Sequence, residues 1–165
     1  MDERARVVVG VDGSACARTA LEFALAEAAR RDAVLDVVSV AVTPEYWPVG
    51  IGMASSGVAV PAREQVVDAV QREAEQLVTD VVGERGAAAT QVDVRVRAVP
   101  GPPAATLIEQ ARGADLLVVG SRGRGGFASA TLGSVSLHCV LHATCPVTVV
   151  RPAAATARTP AAAQA

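Results

Sequence analysis

Two kinds of segment alternate along the chain. Arg6 to Val11 (RVVVGV) is a short apolar run without polar alternation, as expected of a strand covered on both faces. From Ala15 to Arg31 the residues Leu21, Ala24, Leu25 and Ala28 recur at helical spacing, leaving Arg18, Glu22, Arg30 and Arg31 to face water. Ser14 is suited to cap that helix. Val34 to Val42 is a second, largely β-branched strand. Thr43 to Pro61 is irregular and carries three prolines and three glycines. So long a connection is often functional; it reads as a lid, a plain surface loop or a contact patch using Trp47. Pro61 suits the first position of a helix. Ala62 to Val82 then sets Val66, Val70, Ala74, Leu77, Val78 and Val81 on one stripe, with Gly83 and Gly86 as the stop.

Gln91 to Ala98 alternates strictly, with Val92, Val94 and Val96 on one face and Asp93, Arg95 and Arg97 on the other. One wet face suits an edge strand. Pro100 to Pro103 turns the chain, and Ala104 to Arg112 is a short helix with Leu107, Ile108 and Ala111 inward. Leu116 to Val119 is a fourth strand. Thr131 or Leu132 to Leu141 is a further helix, and Pro146 to Val150 a fifth strand whose leading proline also suits an edge. The βαβαβαβαβ succession predicts an α/β fold, a five-stranded parallel sheet with helices on both faces. A doubly wound order, 3-2-1-4-5, is the natural choice. Residues 1–151 form one domain on this reading, and the Ala/Pro-rich residues 152–165 a mobile tail.

Composition narrows the chemistry. The 165 residues carry 15 basic and 17 acidic side chains, a net charge of −2, which points to neither nucleic acid nor an anionic membrane. No apolar stretch is long enough to span a bilayer. The opening MDERAR runs straight into a strand and does not resemble a signal peptide. Every one of the 15 basic residues is arginine, so Schiff-base and phosphate-loop lysines are excluded. Arginine instead offers a planar fork for phosphate or carboxylate. Three cysteines without framework spacing suit a reducing cytoplasm. Cys16, in the first turn of a helix, has the option of a redox role or a small buried one.

The candidate chemistry lies after the fourth strand. Gly120, Gly123, Gly125 and Gly126 make a glycine-dense loop that also carries Arg122 and Arg124, and Gly133-Ser134 opens the next helix. Glycines admit close backbone approach, and successive N–H groups with a helix N-terminus make an anion nest. The loop reads either as a phosphate cradle or as a plain surface loop. In the 3-2-1-4-5 order Asp12, closing strand one, comes beside it at the switch point, where ligands bind in such sheets. Asp12 has the plainer alternative of closing a turn. His138, His142, Cys139 and Cys145 supply ligand types without four directed ligands, so no metal site is assigned.

The stretches VVVGVDGS at 7–14, ADLLVVGSRGRGGFASATLGSVS at 114–136 and HATCPVTVVR at 142–151 resemble the universal stress protein family, specifically its ATP-binding branch. The resemblance covers residues 6–151. It implies the same sheet order and an adenine nucleotide at the switch point: ATP, with AMP or cyclic AMP as alternatives, accompanied by Mg2+. Carried over by position, Asp12 meets the ribose or a phosphate-bound metal, and Val40 lies against adenine. Gly120 and Gly123 line the ribose and phosphate turn, one of the variable positions Arg122 and Arg124 adds charge, and Gly133, Ser134 and Val135 meet the phosphates. No residue is assigned a catalytic role. The resemblance implies nucleotide binding with slow or absent hydrolysis in stress adaptation, in a cytoplasmic homodimer paired through the C-terminal strand, with an unidentified protein partner as a further option. Two alternatives stand beside it: a nucleotide-independent dimeric interaction module, and a slow ATP hydrolase or nucleotidyl transferase.

Overall fold

The computed structural model describes residues 4–47, 59–86, 91–124 and 132–152. Its elements follow in the order β1 (Arg6–Val11), α1 (Ala15–Arg31), β2 (Val34–Ala41), α2 (Arg63–Arg85), β3 (Val94–Pro100), α3 (Pro103–Gln110), β4 (Leu116–Gly120), α4 (Ser134–His142) and β5 (Val147–Val150), with one 3-10 turn at Pro44–Tyr46. All strand pairs are parallel, and the sheet order is β3-β2-β1-β4-β5. This is the expected doubly wound order.

The absence of polar alternation in β1 and β4 follows from cover on both sides. Successive side chains point to opposite faces. Val7 and Val9 of β1, Leu35 and Val37 of β2, and Leu116 and Val118 of β4 meet Leu21, Ala24 and Leu25 of α1 and Ala74 and Val81 of α2. Val8, Val38, Leu117 and Val119 point the other way, against Leu107 and Ala111 beside α3 and Cys139 of α4. Each fully buried Val or Leu contributes about 1.5–3 kcal/mol, so the central strand anchors both layers. Burial also pushes the Cys139 thiol up to about 11.

Several boundaries differ from the pattern. Strand three begins at Val94 rather than Gln91 and runs on to Pro100, because its pairing continues to Val40↔Val99 and Ala41↔Pro100. An edge strand tolerates the missing N–H of that proline. Helix α2 begins at Arg63, not Pro61, with Ala62 as N-cap; the Gln65 side chain accepts from the Ala62 N–H at 2.9 Å. Gly83 lies inside the helix, and Gly86, with φ 72°, ends it. Helix α4 starts only at Ser134. Residues 48–58 of the predicted insert, residues 125–131 of the glycine loop and residues 153–165 of the predicted tail lie outside the described residues.

At the base of the sheet a buried carboxylate is clamped. Asp36 on β2 is 4% exposed and pairs with Arg6 at 3.1 Å and Arg97 at 3.4 Å. Arg6 also donates to the carbonyls of Gln110 and Arg112 at the end of α3, where a cation suits the helix dipole.

Candidate functional site

The β1–β4 pairing ends at Val9↔Val118, although β1 continues to Val11 and β4 to Gly120. The two strands part at their carboxyl ends, at the point where the sheet order reverses. A cavity of about 340 Å³ opens there, within the size range of small-ligand sites.

The turn after β1 is built by Asp12. Its Oδ1 accepts from the Ser14 N–H at 3.0 Å, and the Ser14 hydroxyl then accepts from the Ala17 N–H to cap α1. Its Oδ2 accepts from the Arg124 N–H at 3.1 Å. One carboxylate thus fastens the loop after β4 to the loop after β1. Gly123 makes room for it, since a Cβ there would stand 2.6 Å from Oδ2. Gly120 lets β4 end against α1: a Cβ would lie 2.8 Å from the Cys16 carbonyl carbon. From α4 the buried Ser136 hydroxyl donates to the Gly120 carbonyl at 2.6 Å, and the Gly133 N–H donates to Ser121 at 2.8 Å.

The cavity lining combines two kinds of surface. Val40, Val42, Val66, Val70 and Pro103 supply apolar surface, whereas Asp12, Glu73, Arg122 and Arg124 supply charge. Helices α1, α3 and α4 all begin at this edge, because each follows a parallel strand that ends there. Their N-termini add partial positive charge. The arrangement suits a flat apolar group joined to an anion.

Of the residues expected at the site, Asp12, Val40, Gly120, Arg122, Gly123 and Val135 line the cavity. Gly133 and Ser134 do not; they sit at the start of α4, with a Gly133 Cβ position 3.5 Å from the Arg122 Cα. Arg124 was an optional position of the loop in the sequence and is a wall residue in the structure. The α2 wall of Val66, Val70 and Glu73 was not expected. Its signal was length: 23 residues of helix span about 35 Å, and the seven of β3 only about 23 Å. The apolar stripe therefore continues past the sheet and over the cavity.

His138 and His142 stack at 5.9 Å between ring centroids. Among the described residues no group of three or more His, Cys, Asp or Glu side chains is placed to hold a metal ion. Nor, among them, is any helix long and apolar enough to cross a membrane.

Residues 3–151 match the model of the universal stress protein family. The chain belongs to that family. This universal stress protein is 33% identical over 145 residues to a universal stress protein of Mycolicibacterium smegmatis, covering 87% of this chain and 47% of that one. It is 35% identical over 153 residues to one of Mycobacterium tuberculosis, covering 90% of this chain and 46% of the relative. It thus spans about half the length of the curated relatives it matches. Among solved structures, a universal stress protein in complex with cAMP superposes with a TM-score of 0.60 at 29% identity, covering 90% of this chain and 97% of that one.

Proposed function

We propose that this universal stress protein binds an adenine nucleotide in the cavity between β1 and β4, as a regulatory ligand in a stress response. The observation that carries the proposal is the mixed lining of the cavity at the switch point. Apolar surface from Val40, Val42, Val66 and Val70 suits adenine, and Arg122 and Arg124 with the nearby helix N-termini suit phosphate. The cAMP complex of a relative at 29% identity supports the same ligand class. ATP is the proposed nucleotide, with AMP and cyclic AMP as alternatives.

Asp12 uses one hydrogen bond per carboxylate oxygen to join the loops. A carboxylate has room for about four, so the ribose hydroxyls are natural further donors to it. Asp12 is the carboxylate of the cavity that would meet a Mg2+ ion held on the phosphates, where the ion would neutralise their charge. Gly133 and Ser134, at the head of α4, are proposed to close on the phosphates.

Slow or absent hydrolysis is the proposed kinetic character. Asp12 is occupied in joining the two loops through backbone N–H groups, which sets it to hold the rim rather than to activate water. A cytoplasmic homodimer paired through β5 is the proposed assembly. Among the described residues β5 pairs only with β4, and Leu137, Val140 and Leu141 of α4 expose 45–64% of their surface.

The test is calorimetric titration of nucleotide-stripped protein with ATP, AMP and cyclic AMP, with and without Mg2+, beside the Gly123→Val, Ser134→Ala variant. Saturable binding by the parent and its loss in the variant are expected, with ADP released far more slowly than ATP is bound. No binding at millimolar nucleotide overturns the proposal.

A further inference from the structure

Arg124, at the head of the glycine loop, pairs with Glu73 of α2. Both line the cavity. The pair passes directly over Gly13, whose φ is +76°; a Cβ there would run into the guanidinium and the carboxylate alike. It therefore links the loop after β4 to the overhanging half of α2, across the floor made by the loop after β1.

The pair is also open to challenge. Its side chains are 59% and 48% exposed, and pairs so exposed are weak. A phosphate offers the same guanidinium a bidentate, charge-assisted contact. Meanwhile the Arg124 backbone stays fixed by its bond to Asp12, so the side chain can change partner without the loop moving.

Resting on the nucleotide reading, we propose that Glu73 is an internal competitor for the nucleotide's phosphate. Glu73 holds Arg124 when no phosphate is present, and a bound phosphate takes Arg124 from it. Glu73 then sets how strongly the site distinguishes phosphorylated nucleotides from the bare nucleoside. It also ties phosphate binding to the release of α2 from the loop.

A double-mutant cycle read by calorimetry tests this, using the parent, Glu73→Gln, Arg124→Gln and the double variant against ATP, AMP and adenosine. Glu73→Gln is expected to tighten ATP and AMP about three- to fivefold, which is about 0.6–1 kcal/mol, and to leave adenosine unchanged. Arg124→Gln weakens ATP. In the Arg124→Gln background the second substitution changes ATP affinity less than about twofold, because the competitor has nothing left to hold. Tightening that persists in that background marks simple repulsion between Glu73 and phosphate and overturns the proposal. Nucleotide affinity indifferent to Glu73 overturns the competitor role and leaves the nucleotide reading standing. Binding by neither the parent nor Glu73→Gln removes both.

Discussion

The backbone N–H of Arg124 donates to Oδ2 of Asp12 at 3.1 Å, across the gap where β1 and β4 have parted. That bond makes one rigid rim out of two loops that are 112 positions apart in the chain. The Asp12→Ala substitution removes this bond and the one to Ser14 together. It is expected to cost about 1–3 kcal/mol of stability and to weaken nucleotide binding by more than tenfold. Urea denaturation and calorimetry on the same samples check both. Unchanged affinity would remove Asp12 from the site.

The glycines of the loop divide by what they serve. Gly120→Ala forces a Cβ to 2.8 Å from backbone, which cannot yield as a flexible side chain can. About 1–3 kcal/mol of stability should be lost. Gly133, by contrast, has φ −74°, and a Cβ there would meet nothing closer than 3.4 Å. The Gly133→Ala variant is therefore expected to melt within about 2 °C of the parent and yet bind nucleotide more weakly. Equal affinity would take the head of α4 out of the phosphate site.

Asp36 supplies a control at the other end of the sheet. Replacing it by Ala leaves Arg6 without its buried partner. The loss should be about 1–3 kcal/mol, below the cost for a fully buried pair, because Arg97 is 48% exposed and rehydrates. The urea midpoint falls while nucleotide affinity at saturating folded protein stays the same. A parallel fall in affinity would mean that the base of the sheet and the cavity are coupled.

How much of this was legible beforehand depended on whether the signal was local. β1 and β4 announced themselves, because a strand covered on both faces must be apolar throughout, as VVV at 7–9 and LLVV at 116–119 are. The wet face of the third strand and the proline opening the fifth suited edge positions, but the order itself is not written in the segments and rested on the doubly wound arrangement. The α2 wall did not show. Val66 and Val70 have the same spacing as Ala74 and Val81, so the stripe itself does not mark where the sheet beneath it ends; only the length of the helix against that of the strand does. Nor could the Glu73–Arg124 pair be read: Arg124 stands in the candidate glycine loop, but Glu73 looks like an ordinary surface charge until the fold brings α2 over Gly13. The roles expected for Gly133 and Ser134 rest on the family pattern, and the structure sets them beside the cavity rather than in its lining.

Cys139 gives a prediction about pH. Burial raises its thiol to about 11 from the ordinary 9.0. A group whose folded pKa is raised contributes its stability below the unfolded value and loses it as pH climbs through the folded one. Stability to urea should therefore fall between about pH 9 and 11, and less steeply in Cys139→Ala. The same burial predicts slow alkylation of Cys139 at pH 8 in the folded protein, measured by mass spectrometry. Rapid labelling under native conditions would contradict the close packing of α4 on the sheet.

The measurement that bears most directly on the central claim is an amide-resolved NMR titration of the 15N-labelled protein with ATP. Saturable shifts are expected at Gly10–Ser14, at Gly120–Arg124, at Val135 and Ser136, and at Val66, Val70 and Glu73 on α2, with Arg6 and Asp36 unmoved. Shifts confined to β5 and the outer face of α4, or none at millimolar ATP, would contradict it.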